Sequence, residues 1–235
     1  MAILQKIKSR LHPYPWVMRL HGLLQMPAMT RQEIEIYKSA LLAVKDRQPL
    51  NIFEYGSGFS TIYFASFLKR EGVRFHMDSI DNHRGWHEKV KDLVRHRGLD
   101  EHVTLHLKEF SPFWEKEGWS WDSAPACGRF APQSEEEHKY IHWPLLLNKS
   151  YHIIIVDARF RRRCLQLAMG CLQPNGIVLM HDAQKKHYHA STAFYNFSRF
   201  LPSGGYFPGE RRKYRMWVGS IDNVFVERMF LRYAE

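Results

Sequence analysis

The sequence predicts an α/β fold with a parallel sheet that is covered by helices on both faces. Short strand-like segments alternate with segments of helical periodicity between residues 50 and 182. One of these strands, YHIIIVD (151–157), is apolar on both faces, as a central strand of a parallel sheet must be. The chain of 235 residues is 45% hydrophobic, which is enough for one large core. No apolar run approaches the ~20 residues of a membrane-spanning helix.

Residues 1–29 form a predicted N-terminal helical appendage, because Pro13, Pro15 and Pro27 interrupt its apolar patches. We expect it to pack on the main domain or on a second subunit, and the second arrangement would make the protein a homo-oligomer. A membrane-surface anchor is the alternative, because Lys and Arg are interleaved with the apolar residues. The remaining residues, 30–235, are assigned to one domain.

The first half of this domain contains six predicted elements. The capping-box pair Thr30 and Glu33 predicts the start of a helix that ends before Pro49. Apolar periodicity and glycine stops predict the other five: the strand LNIFEY (50–55), the helix STIYFASFLKREG, the strand FHMDSID (75–81), the helix WHEKVKDLVRHRG and the strand HVTLHL (102–107).

The second half contains a long irregular stretch, two further strands and a hairpin. Residues 110–150 are rich in Trp, Gly and Pro and exceed an ordinary connection, which predicts an insertion that serves as a lid or binding loop. The strand YHIIIVD is followed by the helix CLQLAMGCL and the strand IVLMHD (177–182). In YRMWVGSIDNVFVERMF, two strand-like runs flank Asp222 and Asn223, and this pattern predicts a hairpin.

The composition indicates which partners and which cellular compartment to expect. The chain has 34 Lys and Arg against 24 Asp and Glu, and its net charge of +10 favours anionic partners such as nucleic acid, phosphates, uronic acids or anionic lipids. Three cysteines without a CxxC pair argue for a reducing compartment and against a disulfide framework or a cysteine zinc site. The first ten residues lack the apolar core of a secretory signal, so we expect a soluble, cytoplasmic protein.

The most informative motif is EYGSGFST (54–61), where the first strand ends and a helix begins. Its glycines let the backbone turn tightly and approach a ligand, and the helix N-terminus offers N–H groups. Asp81 ends the second strand, where an acid can accept both hydroxyls of a ribose. A dinucleotide is not expected, because Thr61 stands where the dinucleotide fingerprint has its third glycine. The carboxylate of Glu54 suits a cationic amino-acid group, which favours S-adenosylmethionine as the ligand.

From Ile52 to its end the chain resembles the class I S-adenosylmethionine-dependent methyltransferases, through FEYGSGFST, SIDNHRGWHEKV, IIIVDARFRRRC and IVLMHDAQKKHY. The VDARFRRRC segment resembles a bacterial branch whose members often carry VDGRFR, and Ala158 replaces that glycine. This branch is distantly similar to plant polysaccharide-biosynthesis methyltransferases. The resemblance implies a Rossmann-like, mostly parallel seven-stranded sheet with a C-terminal reversed hairpin, which we place at GSIDNVF.

The resemblance also implies which residues hold S-adenosylmethionine. The predicted cofactor-binding residues are Glu54, Gly56 and Gly58 around the methionine end, Ser60 and Thr61 at the helix start, Asp81 at the ribose, and Asn82 and Trp86 beside the adenosine.

Asp157, His181 and Asp182 end the two strands next to this site, and they are the predicted catalytic residues. Asp157 is a candidate general base, or a group that orients the methyl. His181 is the other candidate base, because its intrinsic pKa of ~6.5 suits neutral pH, or else it is a hydrogen-bonded wall residue. Alternatively, Asp157 and Asp182 hold a divalent cation, as in the catechol-type methyltransferases. Those enzymes usually place Asn where this chain has Ala183.

Arg159, Arg161 and Arg162 closely follow Asp157 and are the predicted substrate-binding residues, because Arg forks bind carboxylate or phosphate. We therefore predict O-methylation of an anionic small molecule or carbohydrate. The alternative is a non-catalytic basic binding protein on the same fold, with nucleic acid or a membrane surface as its partner. Nucleic acid is the less favoured partner, because the sequence contains no RNA-reading module.

Overall fold

Seven strands form one sheet in the part of the chain that the computed structural model describes, which comprises residues 24–110, 134–184, 188–202, 216–222 and 226. The strands are β1 (Leu50–Tyr55), β2 (Phe75–Asp81), β3 (Val103–Leu107), β4 (Tyr151–Val156), β5 (Leu172–His181), β6 (Phe197–Leu201) and β7 (Met216–Ser220). Their order is β3-β2-β1-β4-β5-β7-β6. Strands β1 to β5 are parallel, and β7 runs antiparallel to both of its neighbours. The predicted fold class is confirmed.

Helices cover both faces of this sheet. They are α1 (Arg31–Ala43), α2 (Phe59–Arg70), α3 (Arg84–His96), α4 (Glu135–Leu146), α5 (Arg161–Ala168) and the short α6 (His189–Thr192). The central strand β4 supplies Ile153 and Ile155 to the core shared with α1, α2 and α3, and Ile154 and Val156 to the core shared with α4 and α5. This alternation explains why residues 153–156 of the strand are apolar at every position.

The start of α1 agrees with the predicted cap. The Glu33 N–H donates to Thr30 Oγ1 at 3.1 Å, and the Thr30 N–H donates to Glu33 Oε2 at 2.7 Å. Just before the helix, Met29 is buried in the core and Gln25 Oε1 accepts a hydrogen bond of 3.1 Å from Arg97. Residues 24–29 of the predicted appendage therefore pack on the main domain. Residues 1–23 lie outside the described part of the chain, so the membrane-surface and homo-oligomer interpretations stay predictions.

The predicted stretch 110–150 is partly regular. Its second part contains α4, which begins with a second capping box in which Ser134 and Glu137 exchange hydrogen bonds of 3.2 Å. This helix connects β3 to β4 as the crossover that two parallel strands need. Residues 111–133, which contain most of the Trp-rich segment, lie outside the described residues.

The predicted C-terminal antiparallel hairpin is present, and in the described residues β6 and β7 form it. The second run of the predicted hairpin, after Asn223, lies outside the described residues apart from Val226, so its predicted position stays a prediction. Strand β7 also pairs antiparallel with β5, and Asp222 accepts a hydrogen bond of 2.8 Å from the Asn175 N–H near the start of β5. Residues 223–225 and 227–235 lie outside the described residues, and Val226 is buried with a helical backbone.

None of the helices in the described part of the chain has the length and apolar content that a bilayer crossing requires.

Candidate active site

A cavity of about 600 Å³ opens at the carboxyl ends of β1, β2 and β4. Open α/β sheets bind their ligands at this edge, because the loops and helix starts that follow parallel strands converge there. The cavity is lined by residues 27–29, 56–60, 81–83 and 157–159, together with Trp86, Tyr140 and Arg161. It therefore gathers the glycine turn and the acidic strand ends that the sequence predicted.

Gly56 forms the tightest point of the turn between β1 and α2. Its φ is +95°, and a Cβ atom at this position would lie 2.5 Å from the carbonyl oxygen of Asp157 and 3.1 Å from Ala158 Cβ. Both the conformation and the space require glycine. At the first turn of α2, the Gly58 N–H donates to Thr61 Oγ1 at 2.8 Å. Gly56, Gly58 and Ser60 lie on the cavity wall.

Glu54 lies beneath this turn rather than on the cavity wall. Its fully buried carboxylate accepts hydrogen bonds from Ser60 Oγ (2.7 Å), Ser79 Oγ (2.8 Å) and Thr61 Oγ1. Burial raises the pKa of Glu54 to about 7, although the three hydroxyl donors oppose the rise. The structure thus differs from the prediction that Glu54 and Thr61 contact the cofactor, because both side chains hold the turn from inside.

The opposite wall is built from the end of β2 and the start of α3. Asp81 Oδ1 accepts a hydrogen bond of 2.8 Å from the His83 N–H, and burial raises the pKa of Asp81. Asn82 Nδ2 donates to the Phe110 carbonyl at 3.0 Å. Trp86 Nε1 donates to the Ser57 carbonyl at 2.6 Å and so ties α3 to the glycine turn. Asp81, Asn82 and Trp86 all line the cavity, and their predicted role as cofactor-binding residues stays a prediction.

A cluster of charged side chains, part of it buried, adjoins the cavity at the ends of β4 and β5. Arg161 Nη2 donates to Asp157 Oδ1 at 2.5 Å and lies 3.7 Å from Asp182 Oδ2. On the other side of Asp157, His181 Nδ1 lies 3.3 Å from Asp157 Oδ2. His181 Nε2 lies 3.5 Å from Glu33 Oε2, so α1 also contributes to the cluster. Asp182 has a left-handed backbone with a φ of +56°, a conformation that is uncommon outside glycine and concentrates at functional sites.

A family model described as a methyltransferase domain matches residues 53–183, which is more than half of the chain. The chain belongs to this family. The matched segment contains the glycine turn, Asp81, Asp157 and the Asp182 strand end. The predicted resemblance to the class I S-adenosylmethionine-dependent methyltransferases is confirmed, while the finer branch with VDGRFR stays a prediction.

Solved structures share the methyltransferase fold at low sequence identity. The O-methyltransferase from Bacillus cereus in complex with SAH is 13% identical, with a TM-score of 0.52 over 93% of this chain and 96% of that one. The cofactor-bound Rv0187 from MTB is 13% identical, with a TM-score of 0.54 over 94% of this chain and 97% of that one. These likenesses concern the fold alone. No curated protein sequence resembles this chain closely enough to count as a relative.

His181 does not fit the role of a general base in this methyltransferase. Burial alone would lower its pKa, but the carboxylates of Asp157, Asp182 and Glu33 outweigh burial and raise the pKa of His181 to about 10. The imidazole is therefore protonated at neutral pH. Its side chain is only 5% exposed and is not part of the cavity wall. His181 is thus a buried cation that lies between Asp157 and Glu33.

Asp157 is the acidic member of the cluster that reaches the cavity. Burial would raise its pKa, but the positive charges of His181 and Arg161 prevail and hold the pKa of Asp157 below its usual value. Asp157 is therefore ionised at neutral pH and faces the cavity as a carboxylate. It is available as a weak base or as an orienting acceptor.

The cluster has the residue types of a cation site. One ligand atom each from Asp157, His181 and Asp182 lies within 4.8 Å of the others. However, the Arg161 guanidinium already lies against both carboxylates, and His181 is protonated, whereas a metal ligand must be a neutral imidazole. In this arrangement the residues do not fit a divalent cation.

The three predicted substrate-binding arginines have different positions. Arg161 has a side chain that is only 7% exposed, and it pairs with Asp157, so it does not serve as a free anion seat. Arg162 is not on the cavity wall. Arg159 lines the cavity and is the arginine of this group that can meet an acceptor there.

Two residues of the site, Glu33 and Tyr140, were not predicted from the sequence. Glu33 was recognised only as a helix cap, although it lies one helical turn before Tyr37 on the buried face of α1, a spacing that marks a buried acid. Tyr140 comes from the stretch that was interpreted as an insertion, and no local pattern pointed to it. It lines the cavity from α4.

Proposed function

We propose that this methyltransferase transfers a methyl group from S-adenosylmethionine to an oxygen of an anionic small molecule or carbohydrate. The observation that carries the proposal is the single cavity in which the Gly56 turn, the ribose-type acid Asp81 and the ionised Asp157 meet. S-adenosylmethionine, when bound, supplies an electrophilic methyl group. The B. cereus O-methyltransferase of the same fold was solved with SAH, which supports this choice of cofactor.

The wall residues suggest how the two ends of the cofactor are bound. Asp81 ends β2 where an acid can accept ribose hydroxyls, and Trp86 provides an aromatic surface beside it. The Gly56 turn lets the backbone approach a ligand closely, because no Cβ intervenes. Glu54 and Thr61 support this turn through their mutual hydrogen bond and the Gly58 N–H.

The protonation states favour an acidic acceptor oxygen. Asp157 is a carboxylate with a lowered pKa, which makes it a weak base, and His181 already carries a proton. A phenol or a carboxylate ionises readily and needs only a weak base, whereas a neutral sugar hydroxyl needs a strong one. Arg159 on the cavity wall supplies a positive charge for such an anion. Among the two acceptor classes, we therefore favour the anionic small molecule.

The test has a binding step and a transfer step. Calorimetry should detect S-adenosylmethionine and its demethylated product binding to the wild type. Asp81→Asn should weaken both by about 10-fold or more, because hydrogen bonds to a charged group are lost. The matched control is Asp92→Asn, on the exposed side of α3. Transfer is then followed with methyl-labelled cofactor and a panel of phenolic acids, uronic acids and neutral sugars.

Three results would count against the proposal. If the wild type does not bind the cofactor, the whole proposed function is wrong. Equal affinity of the Asp81→Asn and Asp92→Asn variants would remove the assigned ribose site. Label transfer to neutral sugars only would contradict the acidic acceptor. Salt-sensitive binding of polynucleotide or anionic vesicles without any transfer would favour the non-catalytic alternative.

A further inference from the structure

Two histidine rings lie side by side on the exposed face of α4. His138 and His142 are four residues apart in sequence, a spacing that places them on the same side of the helix, one turn from each other. Their ring centroids are 6.1 Å apart, with an angle of 29° between the ring planes. Both side chains are exposed, whereas Tyr140 and Ile141 between them are buried in the core. The pair therefore faces away from the cofactor cavity.

The orientation of His142 leaves one of its ring nitrogens available to bind a metal ion. Its Nδ1 lies 2.8 Å from the carbonyl oxygen of His138. A carbonyl oxygen can only accept a hydrogen bond, so Nδ1 carries the proton and the lone pair of the neutral ring is on Nε2. Histidines that bind metal ions almost always have this arrangement, because the hydrogen bond of the other nitrogen fixes the tautomer and the ring orientation.

The charges near the pair are compatible with a bound cation. Lys139 lies between the two histidines in sequence, but its Nζ lies 2.5 Å from Glu135 Oε1 and 3.8 Å from Glu136 Oε1. The first turn of α4 contains three Glu residues in all. The positive charge of Lys139 is therefore balanced by carboxylates, and a cation at the pair does not face an uncompensated positive charge.

The ligand type indicates which ions fit. Imidazole nitrogen suits Zn²⁺, Ni²⁺ and Cu²⁺, whereas Mg²⁺ and Ca²⁺ prefer oxygen ligands. The rings have to turn toward each other until both nitrogens reach one ion at ~2.0–2.1 Å, and exposed side chains are free to do so. Among the described residues, no third His, Cys, Asp or Glu side chain lies close enough to join the pair. Water would complete the coordination, so the site is weaker than a four-ligand structural zinc site.

We propose that His138 and His142 together bind one transition-metal ion that prefers nitrogen ligands, such as Zn²⁺ or Ni²⁺. Such an ion would bridge two successive turns of α4, and the bridged segment contains Tyr140, a residue of the cavity wall. Two residues after His142, Pro144 has no N–H and interrupts the hydrogen bonds of the helix. The ion would therefore reinforce a helix that its own sequence weakens. The inference does not depend on the proposed function.

The experiment measures Ni²⁺ binding to the full chain, without a histidine tag, by calorimetry. The variant His142→Gln removes one member of the pair. His96→Gln is the matched control, because His96 is also exposed on a helix and its Nδ1 lies 2.7 Å from the carbonyl oxygen of Asp92, four residues earlier. Asp92→His is the positive control, because it places a second histidine at the spacing of the proposed pair. NMR shows which histidine ring signals Ni²⁺ broadens.

We expect His142→Gln to weaken Ni²⁺ binding by about 10-fold or more, because a chelating pair is reduced to a single ligand. His96→Gln should leave the affinity unchanged, and Asp92→His should gain a second site. Ni²⁺ should broaden the ring signals of His138 and His142 before those of other histidines. It should also raise the melting temperature of the wild type more than that of His142→Gln. Without metal, both Gln variants should melt close to the wild type, because the replaced side chains are exposed.

Three results would contradict the inference. If the wild type and His142→Gln bind Ni²⁺ equally, the pair does not chelate, and a gain of binding in Asp92→His would show that the assay detects such a pair. If His142→Gln and His96→Gln lose the same affinity, any exposed histidine suffices and α4 carries no site. If Ni²⁺ first broadens the signals of other histidines, the ion binds elsewhere. None of these measurements involves S-adenosylmethionine, so they leave the proposed function untouched.

Discussion

Glu54 and Asp157 lie at the ends of neighbouring strands, yet their carboxyl groups have opposite protonation behaviour. Glu54 is the last residue but one of β1, its carboxylate accepts hydrogen bonds from hydroxyl groups, and burial raises its pKa to about 7. Asp157 follows β4 between His181 and Arg161, whose charges lower its pKa. The cavity therefore faces Asp157 as an ionised carboxylate, while the glycine turn above Glu54 is supported by a carboxyl group whose pKa lies near neutral pH.

At the residue scale, the clearest prediction concerns Gly56. In Gly56→Ala, the new Cβ would meet the Asp157 carbonyl at 2.5 Å, in addition to the cost of a φ of +95°. Chemical denaturation should show an unfolding free energy lower by about 2–4 kcal/mol. Cofactor affinity should also fall, because the turn must shift away from Asp157.

Gly72→Ala is the matched control for this prediction. Gly72 also has a positive φ of +69°, but nothing lies within 4 Å of its would-be Cβ. Gly72→Ala should lower the unfolding free energy by about 1–2 kcal/mol, the cost of a left-handed backbone for a residue with a Cβ atom, and should leave cofactor affinity unchanged. If both variants lose the same stability, close packing between the β1 and β4 ends does not constrain Gly56.

At the scale of elements, local sequence signals predicted where helices begin and which segments are helices or strands. They did not predict which distant strands pair with each other. Thr30 and Glu33 have the three-residue spacing of a capping box, which predicted the start of α1. The structure shows the two hydrogen bonds of that box. Strand β7 was recognised from its own residues, but its partner β6 precedes it by a connection of more than ten residues. Strand pairing depends on contacts that no short window of sequence contains.

The same limit applied to the candidate site. The strand ends that carry Asp81, Asp157 and Asp182 were predictable, because parallel strands finish at one edge of the sheet. The raised pKa of His181 was not predictable, because it depends on how closely the carboxylates of Asp157 and Asp182 approach the buried ring, and on Glu33, which meets the ring only through the docking of α1. The pairing of Arg161 with Asp157 has a local signature, since the two residues are four apart at a helix start.

The prediction at this scale separates the two roles of Glu33. Glu33→Gln keeps the capping hydrogen bonds of α1, because Gln also serves at this position of a capping box, but it removes the charge beside His181. The pKa of His181 should then fall from about 10 toward its usual value, as followed by NMR titration. The stability that a raised histidine pKa provides is complete below pH ~6.5 and is lost as the pH rises through the folded-state pKa. The variant should therefore lose stability at a lower alkaline pH than the wild type.

Thr30→Ala provides the complementary control. It removes the N-cap acceptor for the Glu33 N–H and leaves the Glu33 charge in place, so it should cost about 1 kcal/mol of stability without moving the pKa of His181. An unchanged His181 titration in Glu33→Gln would mean that α1 does not contribute to the charge balance of the site.

On the scale of the whole molecule, the buried charges contrast with the surface. The chain carries a net charge of +10, yet the cluster beside the cavity gathers three carboxylates from α1 and the ends of β4 and β5. Two cations of the chain itself, Arg161 and His181, neutralise most of that charge. Folding therefore brings the three carboxylates together with two cations of the chain itself. Because these cations already neutralise the carboxylates, a divalent metal ion has no binding position there.

We accordingly predict methyl transfer that does not depend on a metal ion. Removal of divalent cations with a chelator should leave the wild-type rate unchanged, and Mn²⁺ should not raise the wild-type melting temperature.

Arg161→Ala removes the guanidinium that lies 2.5 Å from Asp157 and 3.7 Å from Asp182, so it uncovers the three possible ligand atoms, of Asp157, His181 and Asp182, that lie within 4.8 Å of one another. The variant should be destabilised by about 1.5–3 kcal/mol, because Asp157 and Asp182 lose the Arg161 guanidinium while Asp157 keeps His181, and Mn²⁺ should now raise its melting temperature. Loss of wild-type activity on chelation, with recovery on adding Mg²⁺ or Mn²⁺, would show instead that a metal displaces Arg161 in the working enzyme.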